Sequence, residues 1–254
     1  MMNKKTNQYK IPLLPVVSIL LILFAVVTVI VMKQTETPDV VDPTLGTTEP
    51  VEEFTVSPET IPVSDGTDAL DLGRDLKLHS FNSYTGMYME DGSDEILTGV
   101  AMAILTNESK SDLQYAKFTV TYDDEVCTYI VTNLPAGASA VLLEQERKAL
   151  PAGEPVSTQM ENVAFFETPM NPHSESFEIS GMDGVMNVKN ISGADIAGDI
   201  YVYYKYSSTD LFYGGITFRI RIEGGLTAGN IYQSVTAHFN PARCTIVDIV
   251  YAGA

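Results

Sequence analysis

The longest apolar run in the chain extends over residues 11–32 and contains no charged residue. At about 1.5 Å per residue, a helix over this run would measure roughly 33 Å, which suffices to cross the hydrocarbon core of a bilayer. Lysines flank the run, and no acidic residue occurs before Glu36. This bias predicts a cytoplasmic stub over 1–10, a transmembrane helix over 11–32 and an extracytoplasmic C-terminal part. A cleaved signal peptide is the alternative, but no Ala-x-Ala site follows the run.

The next stretch, 33–67, has a different composition. After Lys33 it contains five prolines, eight threonines and eight acidic residues, and no further basic residue. Low hydrophobicity combined with charge of one sign cannot offset the entropy lost on ordering, so we expect a disordered acidic Thr/Pro stalk. The stalk would hold the folded part away from the membrane. An O-glycosylated or partner-binding stalk is the alternative.

From about residue 68 onward, short runs of alternating apolar and polar residues dominate the chain. Examples are Lys117–Tyr122 and Ile216–Ile222, both rich in β-branched and aromatic residues. Period-two alternation of this kind predicts strands with one buried face. Glycine and proline turns separate the runs. The only candidate helix in this part is a short one over Ala140–Leu150.

A sequence pattern occurs twice in this strand-rich part. Asn-Glu-Ser-Lys-Ser-Asp-Leu at Asn107–Leu113 corresponds to Asn-Ile-Ser-Gly-Ala-Asp-Ile at Asn190–Ile196, with an offset of 83. Leu134–Gly137 corresponds to Leu226–Gly229 with an offset of 92. The nine-residue difference fits a longer hairpin in the second copy, over Ser207–Gly215. Each motif is interpreted as a turn in which Asn and Ser bind the local backbone and Asp holds the loop.

Each copy would contain about five to seven strands in roughly 75–100 residues, which is typical of an immunoglobulin-like sandwich. We therefore predict an all-β ectodomain of two tandem immunoglobulin-like β-sandwich domains, over 68–168 and 174–254. The short link between them, 168–173, contains two prolines, and we expect it to have limited flexibility.

The Asn-x-Ser…Asp-Leu pattern, the strand Phe118–Asp123 and the Leu-x-x-Gly before the next strand resemble bacterial surface β-sandwich domains of the FxLYD type. The resemblance covers 100–167 and 184–253 and lies in turn and strand residues. It implies an extracytoplasmic, non-catalytic module. The second copy departs from the pattern at Lys205-Tyr206, where the first copy has Asp123.

Charge narrows the range of partners. After Lys33 the chain has 11 basic and 33 acidic residues, a net charge of −22. Such a surface repels nucleic acid, so we predict no nucleic-acid partner and an unknown extracytoplasmic protein or glycan instead. The acidic loops Glu90–Glu95 and Asp123–Glu125 are of a kind that suits calcium. The alternative is that these acids serve turn formation and solubility.

Residues with catalytic or metal-binding chemistry are few. His79, His173 and His238 lack the spacing of a zinc site, and the chain has no G-x-S-x-G and no phosphate-binding glycine loop. We therefore predict no catalytic, cofactor-binding or metal-binding residues, no cofactor and no enzymatic activity. Cys127 and Cys244 fall in different predicted domains. They are either two buried thiols or an interdomain disulfide.

Aromatic residues cluster in and around the longer hairpin, at Tyr201, Tyr203, Tyr204, Tyr206, Phe212 and Tyr213. If exposed, they would form a contact surface for protein or glycan; otherwise they would cover the rim of a sandwich. Asn107 and Asn190 also head N-x-S sequons. Together these features predict a membrane-anchored extracytoplasmic binding or structural module of the cell envelope. A calcium-dependent adhesive module and an envelope enzyme are the alternatives.

Overall fold

A computed structural model of the protein describes residues 69–123, 125–209 and 211–252. All regular secondary structure in these ranges is β-strand, which confirms the all-β prediction for this part of the chain. The predicted stub 1–10, transmembrane helix 11–32 and stalk 33–67 lie outside the described residues. Among the described residues, no helix is long and apolar enough to span a membrane.

The described residues form fifteen strands in chain order. They are β1 (Leu70–Gly73), β2 (Leu76–Tyr88), β3 (Glu95–Asn107), β4 (Leu113–Tyr122), β5 (Glu125–Leu134), β6 (Ser139–Leu143), β7 (Ser157–Phe165), β8 (Phe177–Met182), β9 (Val185–Asn190), β10 (Ile196–Ala197), β11 (Ile200–Ser208), β12 (Leu211–Ile222), β13 (Gly225–Leu226), β14 (Ile231–Val235) and β15 (Cys244–Tyr251).

The strands form one large sheet and three small ones. The large sheet has seven strands in the order β1-β2-β3-β6-β12-β11-β15. The small sheets are β5-β4-β7, β14-β9-β8 and β10-β13. Neighbouring strands are antiparallel except β6 and β12, which run parallel.

The predicted repeat is visible in the strand order. In the first copy, β2-β3-β6 forms one layer and β5-β4-β7 the other; in the second, β8-β9-β14 and β12-β11-β15 have the same order. The parallel pairing of β6 with β12 joins strands from both copies into one continuous sheet. The domain boundaries at 168 and 174 stay a prediction. Any two domains with these boundaries would share this sheet.

Each copy has its own apolar core. The first core lies between β2-β3-β6 and β5-β4-β7 and contains Phe118 and Tyr129, whose rings stack at 5.6 Å. The second core contains Val188 and Tyr204 from its two layers. A third cluster, which includes Met102 and Ile104, occupies the opposite face of β3 and β6.

The predicted short helix over Ala140–Leu150 is wrong, because Ser139–Leu143 forms strand β6. Ala140 and Leu142 face the first core, whereas Val141 and Leu143 belong to the third cluster. A strand buried on both faces is apolar throughout, and periodicity alone cannot distinguish it from a buried helical segment.

Candidate functional site at the junction of the two copies

The junction is the region where the second copy meets the first along β12 and β11. Leu211–Tyr213, at the start of β12, pairs in parallel with Ser139–Val141 of β6. Phe212, Tyr203 and Val247 pack against the first core, although they belong to strands of the second copy. The β12-β11-β15 layer therefore covers its own core with one face and the first copy with the other.

Glu90 follows β2 and is buried at the junction. Its Oε1 accepts hydrogen bonds from the backbone N–H of Leu143 and of Gly215, both at 2.9 Å, and its Oε2 accepts from Gly215 at 2.9 Å. Burial raises the pKa of Glu90, and these backbone donors act in the opposite direction. The carboxylate thus links the end of β2 to β6 and β12.

Lys205 of β11 is completely buried at the same junction. Its Nζ donates to the carbonyl oxygens of Thr132 at 3.1 Å, Gly215 at 3.0 Å and Ile216 at 2.6 Å. These three acceptors match the three donors of an ammonium group. Burial lowers the pKa of Lys205, and the negative charge of Glu90 opposes that effect. Lys205 and Glu90 bind the C=O and the N–H of the same residue, Gly215.

Gly215 allows β12 to approach β5 closely. A Cβ atom at this position would lie 1.8 Å from the carbonyl oxygen of Ile130 and 3.2 Å from Glu90 Oε2. Nearby, the hydroxyls of Thr132 and Thr217 lie 2.9 Å apart and share a hydrogen bond. A side chain larger than hydrogen at residue 215 would separate the two strands.

Buried polar side chains also close the outer edge of β5. Glu144 is completely buried, and its Oε1 accepts from the N–H of Thr128 at 3.1 Å. The N–H of Gln145 donates to the carbonyl of Thr128 at 3.0 Å. Further along, Lys205 binds the carbonyl of Thr132. The N–H and C=O of Thr128 and the C=O of Thr132 therefore have partners at this edge without a neighbouring strand.

The acidic loop Glu90–Glu95 is bound by the cationic side chain of Arg147. Arg147 contacts Asp91 Oδ2 at 2.5 Å and Glu95 Oε2 at 2.7 Å. The hydroxyl and amide of Ser93, followed by Arg147, lower the pKa of Asp91 to about 2. With Glu90 directed into the junction, the carboxylates of this loop do not converge. The described residues contain no group of three His, Cys, Asp or Glu side chains that could hold a metal ion.

The histidines and cysteines lie in separate environments. His238 Nδ1 lies 3.0 Å from Asp94 Oδ2, within ion-pair distance but outside hydrogen-bond geometry. His173 Nδ1 lies 2.9 Å from a carboxylate oxygen of its neighbour Glu175. Cys127 and Cys244 are both free thiols, and burial raises the pKa of each to about 11. Thiols with such a pKa are poor nucleophiles near neutral pH.

The aromatic cluster of the longer hairpin does not form an exposed patch. All six of its residues are buried or half-buried. The guanidinium of Arg219 lies 5.2 Å from the ring centre of Tyr201, and Tyr206 packs edge-on against Phe218. The cluster therefore covers the second copy and the junction, as in the rim interpretation.

The turn motif of the first copy is organised by Asn107, which is completely buried. Its Nδ2 donates to the carbonyls of Ser111 at 3.0 Å, Leu134 at 3.1 Å and Pro135 at 3.2 Å. Its Oδ1 accepts from the hydroxyl of Ser109 at 2.7 Å. One side chain thus ties the β3–β4 turn to the end of β5, which confirms the turn interpretation.

The second copy reproduces these contacts. Asn190 Nδ2 donates to the carbonyls of Ala194 and Leu226, each at 2.8 Å, and its Oδ1 accepts from the hydroxyl of Ser192 at 2.7 Å. Like Asn107, Asn190 is completely buried with its amide engaged. Neither sequon is open to glycosylation once the protein is folded.

The aspartates of the two motifs differ in one contact. Asp112 Oδ1 accepts from the N–H of Ala136 at 2.8 Å, and Asp195 Oδ1 accepts from Ala228 at 2.9 Å. Asp112 Oδ2 also accepts from the N–H of Met170 at 2.7 Å, which lies in the link between the copies. The first motif therefore serves both its own turn and the link.

The other end of the link is bound to the second copy. The N–H of Asn171 donates to Asp248 Oδ1 at 3.0 Å, and the N–H of Ile249 donates to the carbonyl of Asn171 at 2.9 Å. Burial raises the pKa of Asp248. These contacts hold the link against the edge of β15. The limited flexibility of the link stays a prediction, and these contacts support it.

The structural roles of Glu90, Glu144 and Lys205 are not predicted by the sequence pattern. One feature of the sequence could have indicated a buried charge. Lys205 is the only charged residue of the otherwise apolar and aromatic segment Ile200–Tyr206. No family model, curated protein or solved structure matches the chain.

Proposed function

We propose that this protein is a single-pass surface protein that presents a rigid binding or structural module outside the membrane. Residues 11–32 serve as the anchor and 33–67 as the stalk. The observation that carries the proposal is the junction, where Glu90 and Lys205 are both used to join two copies of one sandwich. A rigid tandem unit suits a module that must hold a contact surface at a fixed distance from its attachment point.

The strand order supports an immunoglobulin-like assignment for each copy. In an immunoglobulin sandwich, strands A, B and E form one layer, and strands C and F, with C′ in variable-type domains, belong to the other. The order β2-β3-β6 opposite β5-β4-β7 corresponds to A-B-E opposite C′-C-F, and the second copy follows the same correspondence. Domains of this architecture commonly serve in recognition and as spacers at cell surfaces.

The environments of the ionisable groups support a binding or structural role over an enzymatic one. A catalytic acid or base with a shifted pKa is expected to face a cleft open to substrate. Glu90 and Lys205 instead face backbone amides and carbonyls within the junction. Their burial is explained by joining the two copies.

The orientation is tested by protease treatment of intact cells that express the full chain with a different tag at each end. We expect an added protease to remove the C-terminal tag and to leave the N-terminal tag protected by the membrane. A protected C-terminal tag would overturn the proposal. Permeabilised cells provide the control, because both tags must then be digested.

The binding role is tested by crosslinking the full chain in native membranes and identifying the attached partner. We expect a reproducible envelope protein or glycan that is lost when Gly215 is replaced by a larger residue, because that change disrupts the rigid junction. Labelling unaffected by such a change would show that the junction has no part in binding.

A further inference from the structure

The two copies differ at one equivalent edge. In the first copy, β6 is the third strand of its layer, and β12 pairs with its outer side. In the second copy, β14 occupies the same place beside β9 and is the edge of its sheet. Within the described residues, the fold thus covers one of two equivalent edges and leaves the other available.

The hydrogen-bond pattern shows which residues of β14 face outward. The N–H of Asn190 donates to the carbonyl of Asn230, and the N–H of Thr236 donates to the carbonyl of Gly184. Because backbone direction alternates along a strand, even-numbered residues of β14 bond to β9. Ile231, Gln233 and Val235 therefore direct their N–H and C=O groups toward the free edge.

This edge lacks the features by which proteins normally prevent strand pairing. Asn230–Ala237 contains no charged residue and no proline, in a chain with a net charge of −18. The exposed fractions of Ile231 and Val235 are 62% and 86%. By contrast, the edge of β5 is closed by Glu144 and Lys205. An uncharged and exposed edge of this kind is a template for another strand.

We propose that β14 pairs antiparallel with β14 of a second copy of this protein, about a two-fold axis at Gln233. In this register Gln233 lies opposite Gln233, and Ile231 lies opposite Val235 at both ends. All three residues direct their backbone groups to the free edge, so the pairing forms six backbone hydrogen bonds. Tyr232 lies opposite Ser234, and no like charges meet.

The exposed face of the sheet supports this register. Val235 is paired with Val185, which is paired with Met182, so these three side chains form a row across the sheet. Met182 is 65% exposed. In the proposed pairing, Ile231 of the second copy extends this row by one more apolar side chain. The two-fold axis generates a second identical row.

A second copy is favoured over a foreign strand because the segment is complementary to itself. A two-fold pairing also closes, because each β14 has one free edge and that edge is consumed. Head-to-tail growth through β5 is opposed, since Glu144 already binds the N–H of Thr128 and Lys205 the C=O of Thr132 on the outer side of that strand. The expected product is a dimer, and a fibre is not expected.

The contact is small, so the dimer is expected to be weak and rapidly exchanging. Five paired residues bury much less than the roughly 1,200 Å² of a standard interface. Disulfide trapping is therefore the appropriate test, because it captures a minor or transient pair. Residues opposite each other in a bonded antiparallel pair have Cα atoms about 5.5 Å apart, which suits a disulfide.

The test uses the full chain in detergent micelles with Gln233→Cys, under mild oxidation. We expect a covalent dimer at a yield at least about tenfold above that of the unmodified chain, whose own thiols are buried or half-buried. Dimer formation at the background level would overturn the proposal. Crosslinking of Gln233→Cys to a different protein in preference to itself would also overturn it.

The register has its own controls. Ile231→Cys alone should not form a dimer, because the two cysteines would be about 13 Å apart in the proposed pairing. A mixture of Ile231→Cys and Val235→Cys should form the mixed dimer. Self-crosslinking of Ile231→Cys above the mixed product would contradict the two-fold axis at Gln233.

A charge placed on the edge tests the contact independently of cysteine chemistry. Val235→Lys, added to Gln233→Cys, should lower the dimer yield about tenfold, because a charged side chain on the edge then replaces the apolar partner of Ile231. Val156→Lys is the matched control, since Val156 is 66% exposed and lies in the first copy. Equal yields from the two lysine variants would overturn the proposal.

Discussion

Strands β6 and β14 occupy the same position in the two copies but have different surroundings. β6 pairs on both sides and is buried on both faces, whereas β14 pairs only with β9 among the described strands. The cause is the longer hairpin of the second copy, since Leu211–Tyr213 supplies the strand that covers β6. A short insertion in one copy therefore creates the junction and leaves the two repeats with different edges.

Unlike the edges, the turns have the same contacts in both copies. Asn107 and Asn190 make the same kind of contacts, with a buried amide donating to carbonyls of its own loop and of a more distant strand. The two copies thus share the contacts that form their turns, but differ in the contacts at the edges of β6 and β14. Variants that act on one copy, or on the junction alone, separate these two kinds of feature.

The largest effect is expected at the junction, for Lys205→Met. The change removes the ammonium group that binds three carbonyls and the positive charge that favours the ionised form of Glu90. We expect a loss of about 3–5 kcal/mol in the free energy of unfolding, measured by urea denaturation. Lys189→Met is the control, because Lys189 makes only a 3.6 Å surface pair with Glu178. A loss below about 1 kcal/mol for Lys205→Met would show that the junction does not depend on the Lys205 ammonium group.

The next largest effect is expected for the duplicated turns. Asn107→Ala and Asn190→Ala each leave buried carbonyls without a donor, so each should cost about 2–3 kcal/mol in urea denaturation. Asn187→Ala, which removes only an exposed contact with Gln233, should cost less than about 1 kcal/mol. Very unequal losses for the first two variants would mean that the turns are not energetically equivalent.

A smaller and asymmetric effect is expected for the motif aspartates. Asp112→Ala removes acceptors for Ala136 and Met170, whereas Asp195→Ala removes the acceptor for Ala228. We expect losses of about 1–2 kcal/mol for the first and about 0.5–1 kcal/mol for the second. Amide hydrogen exchange at Met170 should accelerate only in Asp112→Ala. Unchanged exchange there would show that the link is held by other contacts.

The smallest effect is expected in acid. Ser93 and Arg147 lower the pKa of Asp91 from 3.8 to about 2, and the amide of Gly224 followed by Arg221 lowers that of Asp199. A carboxylate with a depressed folded-state pKa stabilises the protein above its unfolded pKa, and this contribution is lost as the pH falls through the folded value. The melting temperature of Asp91→Asn should therefore change less between pH 4 and pH 2 than that of the unmodified chain. If the melting temperatures of the two proteins depended on pH in the same way, the lowered pKa of Asp91 would be contradicted.

The strands and the repeat could be predicted from the sequence because both depend on local patterns. Alternation over Lys117–Tyr122 and the recurring Asn-x-Ser motif each report on a few neighbouring residues. The identity of β6 could not be predicted, since a strand buried on both faces has no polar alternation. The junction was also missed, because Glu90 and Lys205 meet at Gly215 only after distant segments have folded together.

The parallel pairing of β6 with β12 also has a consequence during synthesis. Leu143 is synthesised roughly 70 residues ahead of Leu211. At ordinary elongation rates this separation corresponds to about 4–14 s. Throughout that interval the nascent first copy exposes the open side of an apolar strand, without the segment that will cover it. The period in which this apolar strand is uncovered is therefore predicted to lie in the second half of translation, when chaperone binding to the nascent chain would matter most.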